Sequence, residues 1–229
     1  MSGSITLENR FGVNKMELIS LKYAIFVIVL LVLYYCFPKK YRWYVLLAGS
    51  MAYYVIICKW YVLFIIFTIC TTYGSTIWID KLLKEQNAIV KSHKEDWDRQ
   101  TRKEYKEKGR KKRVAVMLFA LLCNFGILAF LKYIPYAGEL GLLLPLGISF
   151  YTFQSMGYVM DVYREIVEPE KNFLKVALFV SFFPQIIQGP IAIYDKLAGQ
   201  LYEGHSLRLE NLQKGALLVL WGVIKKLVI

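Results

Sequence analysis

The sequence is poor in the residues that build many soluble active sites. It contains only two histidines and four cysteines in 229 residues. Cys36, Cys58, Cys70 and Cys123 are far apart, so they form no CxxC metal or redox motif. No metal-ligand cluster, Walker loop or dinucleotide-binding glycine fingerprint is present. The sequence therefore gives no support to a metal site or to nucleotide-driven transport.

Hydrophobic residues, by contrast, make up 57% of the chain and aromatic residues 16%, which is too apolar for an ordinary soluble domain. A bilayer crossing needs about 20 mostly apolar residues. Apolar runs of about this length, or somewhat shorter, occupy 18–37, 43–57, 60–79, 114–133, 142–162, 173–187 and 212–229. We predict an all-α, polytopic transmembrane protein with five or six crossings and one ambiguous segment.

The ambiguous segment is 173–187, which is shorter than a full crossing and contains Pro184. Gly189 and Pro190 follow it, and a straight helix cannot continue through them without losing backbone hydrogen bonds. We predict a broken or re-entrant helix with its break at 185–190. Non-helical backbone at membrane depth requires surrounding protein or water, so this break predicts a buried polar pocket. The alternative is a short helix that ends in an interfacial loop.

Positive charges predict the topology, because lysine and arginine concentrate in short cytoplasmic loops. Lys39, Lys40 and Arg42 follow the first run, and a dense basic loop occupies 80–113. Both segments are predicted to be cytoplasmic, which places the N-terminus outside and 164–171 inside. Lys225 and Lys226 would also lie inside if the segment before them crosses the membrane.

The same topology accounts for most of the formal net charge of +12. The predicted partner is consequently the lipid bilayer, with no nucleic acid. Within 80–113 the acids are mixed among the bases, which favours a solvated or surface-lying helix attracted to anionic lipid. The segment 1–15 lacks the features of a removable signal peptide, so we expect a multi-pass protein of the cell membrane whose first helix is retained.

Polar residues recur on one face of the helix that is predicted to start near Pro145. Tyr151, Gln154, Tyr158 and Asp161 are spaced 3, 4 and 3 residues apart. Polar groups inside a membrane are costly if they face lipid, so we expect this face to meet protein or water. Gln154, Tyr158 and Asp161 are candidate lining residues of a substrate tunnel. Hydrogen bonding between helices, or interfacial solvation of Asp161, would explain them equally.

A second set of candidates lies at the predicted break. Gln185 and Gln188 would line the tunnel, while Pro184, Gly189 and Pro190 would shape its backbone. Glutamine is a recognition group and not an effective general base. The alternative is that these two glutamines only satisfy the broken backbone.

These residues belong to a longer signature over 144–201, in which FFPQIIQGPI is followed by Tyr-Asp-x-Leu. A further segment carries Asn211, Gly215, Trp221, Gly222, Lys225 and Lys226 in order. This order resembles the membrane-bound O-acyltransferase (MBOAT) family, in the bacterial branch of alginate O-acetylases and the D-alanine transfer protein of teichoic acid. Related sequences commonly carry a basic residue at the position of Ile193.

The resemblance implies a multi-helix enzyme that moves an acyl group, here acetyl, to a hydroxyl of a cell-surface polysaccharide. It implies an activated acyl donor as substrate, no tightly bound cofactor, and other membrane or extracytoplasmic acylation proteins as partners. Its catalytic histidine lies in the second half of the protein. We therefore expect 1–229 to be the N-terminal part of one transmembrane domain, inactive alone, with the catalytic half beyond 229.

Neither histidine of this chain matches that catalytic position. His93 lies in the basic loop, and His205 lies in the loop after the Gly-Pro-Ile motif. We assign neither a catalytic role, and the catalytic residue stays unknown. The rival interpretation is a non-catalytic membrane scaffold or transport subunit that uses the same broken helix as a conduit.

Overall fold

The computed structural model describes residues 21–93, 97–133, 145, 147–189 and 191–228. Within these ranges all regular structure is helical, which confirms the predicted all-α class. The α-helices are α1 (Leu21–Cys36), α2 (Arg42–Cys58), α3 (Val62–Ser92), α4 (Arg99–Tyr133), α5 (Ile148–Tyr163), α6 (Phe173–Ser181), α7 (Phe183–Gln188), α8 (Tyr194–Tyr202) and α9 (Leu209–Val228). The predicted exterior position of the N-terminus falls on 1–20, outside the described residues.

Helices α3 and α4 are 31 and 35 residues long and extend well past the apolar runs that predicted them. Most of the basic segment 80–113 therefore continues two helices that are candidate membrane spans. In this polar half Gln86 is buried, and its Nε2 donates to the carbonyls of Tyr105 at 3.1 Å and Lys106 at 2.9 Å. A Cβ at Gly109 would overlap the Gln86 side chain, so glycine permits this close crossing. The sequence favoured a solvated or surface-lying helix, and the structure shows largely exposed polar halves of α3 and α4 that pack against each other.

The first packing group consists of α3, α4 and α5. Small polar residues on one face of α3 are buried there, including Thr68, Thr72 and Thr76. Small side chains let helix backbones approach closely inside a membrane protein. Asn124 of α4 joins the group by donating to Thr71 Oγ1 at 2.9 Å.

The second packing group forms around α2, which contacts α1, α6 and α7. Its centre is aromatic: the ring of Phe183 lies 5.4 Å from Phe26 and 5.5 Å from Tyr53, measured between centroids. Phe183 is the first residue of α7. The junction between α6 and α7 is thereby held inside the bundle.

The outer surface of the bundle is apolar. The helical stretches Lys39–Ser92 and Arg99–Tyr133 are long and apolar enough to cross a membrane, and Leu21–Cys36 and Phe173–Ile186 are shorter apolar segments. Leu122 is 73% exposed on α4, as expected for a side chain that faces lipid. Helices with apolar outer faces and polar inner contacts are typical of an all-α membrane protein.

Candidate functional site

The helix predicted over 173–187 is broken inside the bundle. Helix α6 ends at Ser181, Phe182 takes φ −58° and ψ 106°, and α7 begins at Phe183. One break therefore precedes Pro184, and a second helix end falls at Gln188 and Gly189, within the predicted range 185–190. Proline lacks an N–H and is well tolerated in the first turn of a helix, so Pro184 starts the second helix instead of ending the first.

Two side chains from neighbouring helices satisfy the backbone at the break. In a continuous helix the Phe183 N–H would donate to the Phe179 carbonyl. Here Gln154 Nε2 of α5 donates to Phe179 O at 2.9 Å, and the Phe183 N–H donates to Ser50 Oγ of α2 at 3.4 Å. Gln154 is 2% exposed and Ser50 is fully buried. The amide nitrogen of Gln154 thus caps a broken helix, which was the alternative to tunnel lining.

Gln185 lies in the first turn of α7 and is 7% exposed. Its carbonyl accepts the Gly189 N–H at 2.9 Å, and a Cβ at Gly189 would lie 2.6 Å from Gln185 Cα. Glycine is therefore required for the chain to turn this tightly after α7. Gln188 is the last residue of α7, and Pro190 lies outside the described residues.

A left-handed glycine fixes where α7 meets α5. Gly147 caps α5 at φ +69°, a conformation that favours glycine. A Cβ at Gly147 would lie 2.6 Å from the Ile186 carbonyl oxygen. Position 147 thus requires glycine both for its backbone angle and for its contact with α7.

The other two lining candidates lie near the loop that follows α5. The Tyr158 hydroxyl accepts the Glu170 N–H at 2.8 Å, and its ring stacks on Tyr194 with centroids 4.1 Å apart. Asp161 is half-buried, and its backbone carbonyl accepts the Ile166 N–H at 3.0 Å. Tyr158 therefore supports α8 and the loop after α5, whereas Gln154 acts at the break.

Helix α8 ends in a polar contact with the start of α6. The Tyr202 hydroxyl donates to Lys175 O at 2.8 Å, and the Lys175 ammonium lies 4.9 Å from the centroid of the same ring. Lys175 also pairs with Glu170 at 3.6 Å. Burial raises the pKa of the Tyr202 hydroxyl above its usual value of 10.0, so Tyr202 is neutral in the physiological range.

These contacts show that α6, α7 and α8 enter and leave the bundle at the same end. Tyr194, at the start of α8, packs on Phe179 near the end of α6, and Tyr202, at the end of α8, meets Lys175 near the start of α6. The two helices are therefore antiparallel. Gly204 then lies against the backbone of Lys39 in the turn between α1 and α2. We call this end of the bundle the Lys39 end.

The returning path of α6, α7 and α8 determines where α9 begins. Because the segment before it returns to the Lys39 end, α9 begins there and Lys225 lies 16 residues along it, about 24 Å away at 1.5 Å per residue. The condition for placing Lys225 and Lys226 at the Lys39 end was a crossing by the preceding segment. The side of the membrane on which Lys225 and Lys226 lie stays a prediction.

Both histidines are exposed. The His93 ring stacks on Trp97 at 4.9 Å between centroids. His205 Nε2 lies 3.0 Å from Gln200 O, and the His205 carbonyl accepts a hydrogen bond from Arg42. Neither side chain lies in the core with Gln154 and Gln185.

A cavity of about 380 Å³ opens beside the break, towards α1 and α2. Phe182, Phe183 and Pro184 line one wall, and Gln200 and His205 lie among the polar lining groups. The sequence predicted a polar pocket at the break, whereas the cavity between the break and α1 is lined mostly by apolar side chains. Gln154 and Gln185 are not among the described residues that line this cavity.

Sequence reasoning missed Ser50 and Gly147. Ser50 is the polar residue of a short apolar run, and its position at mid-helix is the signal that could have identified it. Gly147 directly precedes an apolar helix, and glycine is common at such an N-cap position, so the sequence carries no distinctive signal for it. The partners of both residues lie more than 30 residues away, so spacing alone could not pair them.

Comparisons with known proteins identify relatives over part of the chain. It is 40% identical over 87 residues to a protein of Pseudomonas syringae pv. tomato named probable alginate O-acetylase AlgI, covering 38% of this chain and 17% of the relative. It is 34% identical over 112 residues to the probable alginate O-acetylase AlgI of Pseudomonas putida. That match covers 49% of this chain and 21% of the relative. It is 30% identical over 151 residues to the peptidoglycan O-acetyltransferase of Helicobacter pylori. That match covers 49% of this chain and 29% of the relative.

The matched part of the chain thus spans less than a third of the length of each of these relatives. No family model and no solved structure matches the chain. The relatives nevertheless agree in kind, since all three carry the names of O-acetyl transfer proteins. The chain is therefore similar to MBOAT-type O-acetyltransferases, which confirms the resemblance that its motifs predicted.

Proposed function

We propose that this chain forms part of a membrane O-acyltransferase that moves an acyl group, most simply acetyl, to a hydroxyl of a cell-surface polysaccharide. The observation that carries the proposal is the 30–40% identity to proteins named as alginate and peptidoglycan O-acetyltransferases. An activated acyl donor and a hydroxyl-bearing polymer are the substrates of such a reaction. Other acylation proteins of the membrane or cell exterior would present or receive them.

The geometry at the break supports a role in binding. Gln185 is buried beside it, and the hydroxyls of Ser155 and Ser181 have no hydrogen-bond partner among the described residues. Buried polar groups are normally paired, so unpaired hydroxyls favour a site for water or a ligand. In this proposal Gln185 and Gln188 line the path of the substrate, Pro184, Gly189 and Pro190 shape it, and Gln154 holds its backbone. Tyr158 and Asp161 lie further along the path.

The proposed protein is multi-pass, with the Lys39 end in the cytoplasm and the N-terminus outside. Lys39, Lys40 and Arg42 lie at this end, and the positive-inside bias supports the orientation. Arg113 of α4 pairs with Glu165 at 3.4 Å, which brings the basic segment and the loop after α5 to one level.

The test is turnover in the complete gene product of the source locus. Gln185→Ala should lower acyl transfer at least about tenfold while the unfolding temperature stays close to that of the wild type. The control is Gln100→Ala, an exposed glutamine in the polar half of α4. Unchanged turnover in Gln185→Ala would remove this residue from the substrate path.

The second candidate is a non-catalytic scaffold or transport subunit. The exposure of both histidines favours it for this chain acting alone. The two candidates differ in what the complete gene product does, because a scaffold supports transfer only when a separate enzyme is present. Transfer by the purified complete protein would exclude the scaffold.

A further inference from the structure

Two apolar grooves meet on the surface of α1. The cavity beside the break runs along Val27, Leu31 and Tyr35 of α1. A second cavity of about 620 Å³ lies between α1 and α9, and it shares Leu31 and Tyr35 with the first. The α1 residues from Val27 to Tyr35 span about 12 Å at 1.5 Å per residue. The two grooves therefore share a wall formed by Leu31 and Tyr35.

The common end of the two grooves is positively charged. Arg42 lies 5.3 Å from the ring centroid of Tyr34 and 5.1 Å from that of Tyr35, and it donates to the carbonyl of His205. Its guanidinium donates to the backbone carbonyls of Phe37 and His205, and no carboxylate pairs with it in the described part of the chain. Arg208 lines the second groove close to the same end. Such a half-buried cation attracts an anion.

We propose that these grooves bind one two-chain anionic phospholipid. Each hydrocarbon chain lies in one groove, on either side of Leu31, and the phosphate lies near Arg42 and Arg208. Helices of the bundle form the walls, so the lipid fills the gap between α1 and α9 and joins α9 to the bundle. Lys39 and Lys40 in the adjacent turn add to the attraction, since a basic residue near a membrane surface contributes about 1 kcal/mol for anionic lipid.

The proposal is tested by lipid exchange into the purified protein, measured by native mass spectrometry. The probes are dioleoyl phosphatidylglycerol, dioleoyl phosphatidylcholine and the single-chain lysophosphatidylglycerol. The wild type should retain phosphatidylglycerol several-fold better than either competitor. Equal retention of phosphatidylglycerol and phosphatidylcholine would overturn the anionic site, and equal retention of the lyso form would overturn the paired grooves.

Variants locate the site. Arg42→Gln should lower phosphatidylglycerol retention about fivefold, which is the effect expected from the loss of one basic residue. Leu31→Trp should also lower retention, because the larger side chain on the shared wall would fill both grooves. Matched controls are Lys40→Gln on the same turn, expected to lose less, and Leu118→Trp, an exposed position on α4 outside the grooves. The proposal fails if Leu31→Trp and Leu118→Trp retain the lipid equally, with both proteins folded by thermal melting.

Discussion

At the scale of single residues, the candidate site depends on backbone groups that a broken helix leaves free. Gln154 and Ser50 supply the two missing partners, one for a carbonyl and one for an N–H. A buried backbone group without a partner costs about 1–3 kcal/mol. These two side chains therefore let a helix break exist inside the bundle, and the pocket depends on that break.

Gln154→Leu tests the structural role of this glutamine. The change leaves Phe179 O unpaired, so we expect a loss of about 1–3 kcal/mol in stability and a lower unfolding temperature. Gln100→Leu makes the same chemical change at an exposed position and should have little effect. A Gln154→Leu protein with full stability but reduced turnover would instead assign Gln154 to the substrate path.

Gly147→Ala tests the contact between α5 and α7. The added Cβ meets the Ile186 carbonyl and the residue keeps φ +69°, so we expect a loss of at least about 1–2 kcal/mol. Gly157→Ala is the control, because its Cβ enters open space in the middle of α5. It should be neutral or stabilising, since alanine is the better helix former. Equal unfolding temperatures for the two variants would contradict the account.

Tyr202→Phe tests the contact between α8 and α6 as a function of pH. Burial raises the folded-state pKa of Tyr202 above 10.0, so only the unfolded state ionises near pH 10 and stability is lost as pH rises above that value. At neutral pH the variant should lose about 1 kcal/mol with its hydrogen bond. The difference in unfolding free energy between the wild type and Tyr202→Phe should shrink between about pH 8 and pH 11. A difference that stays constant over this range would contradict a buried Tyr202 hydroxyl.

At the scale of elements, composition predicted the helices, and their limits depended on packing. The apolar runs 43–57 and 114–133 became α2 and α4, because an apolar segment in a membrane must satisfy its own backbone. The polar extension of α3 and α4 was not predicted, since it depends on Gln86 meeting a glycine 23 residues away. The broken helix was predicted, and α7 does end within 185–190, but the break at Phe182 was not predicted because Pro184 starts a helix as easily as it ends one.

The re-entrant path of α6, α7 and α8 predicts the sidedness of its two ends. In a cysteine-free background, Lys171→Cys and Glu203→Cys should react with a membrane-impermeant thiol reagent from the same side, and Lys59→Cys from the opposite side. The reason is that Tyr202, at the end of α8, donates a hydrogen bond to Lys175, at the start of α6, so both ends of the segment lie together. All three positions are exposed, so labelling reports sidedness. Labelling of Glu203→Cys from the side of Lys59→Cys would show that the segment crosses.

At the scale of the whole molecule, the sequence identified the kind of protein better than it identified the site. Motif order over 144–201 predicted the resemblance that the relatives confirm. The five lining candidates were chosen by helical spacing and by the glutamine motif, and the structure distributes them between the break and the loop after α5. Spacing shows which residues share a face, but partners such as Ser50 and Glu170 come from elsewhere in the chain. The proposed lining role of these candidates stays a prediction.

The most direct measurement is the O-acetyl content of the cell-surface polysaccharide in a host that lacks its own O-acetyltransferase. The complete reading frame of the source locus is expressed there with and without the segment encoding 144–201. We expect ester-linked acetyl groups with the complete frame and none without that segment, while both proteins reach the membrane. Equal ester content in the two strains, at background level or above it, would contradict the claim that this chain is part of an O-acyltransferase.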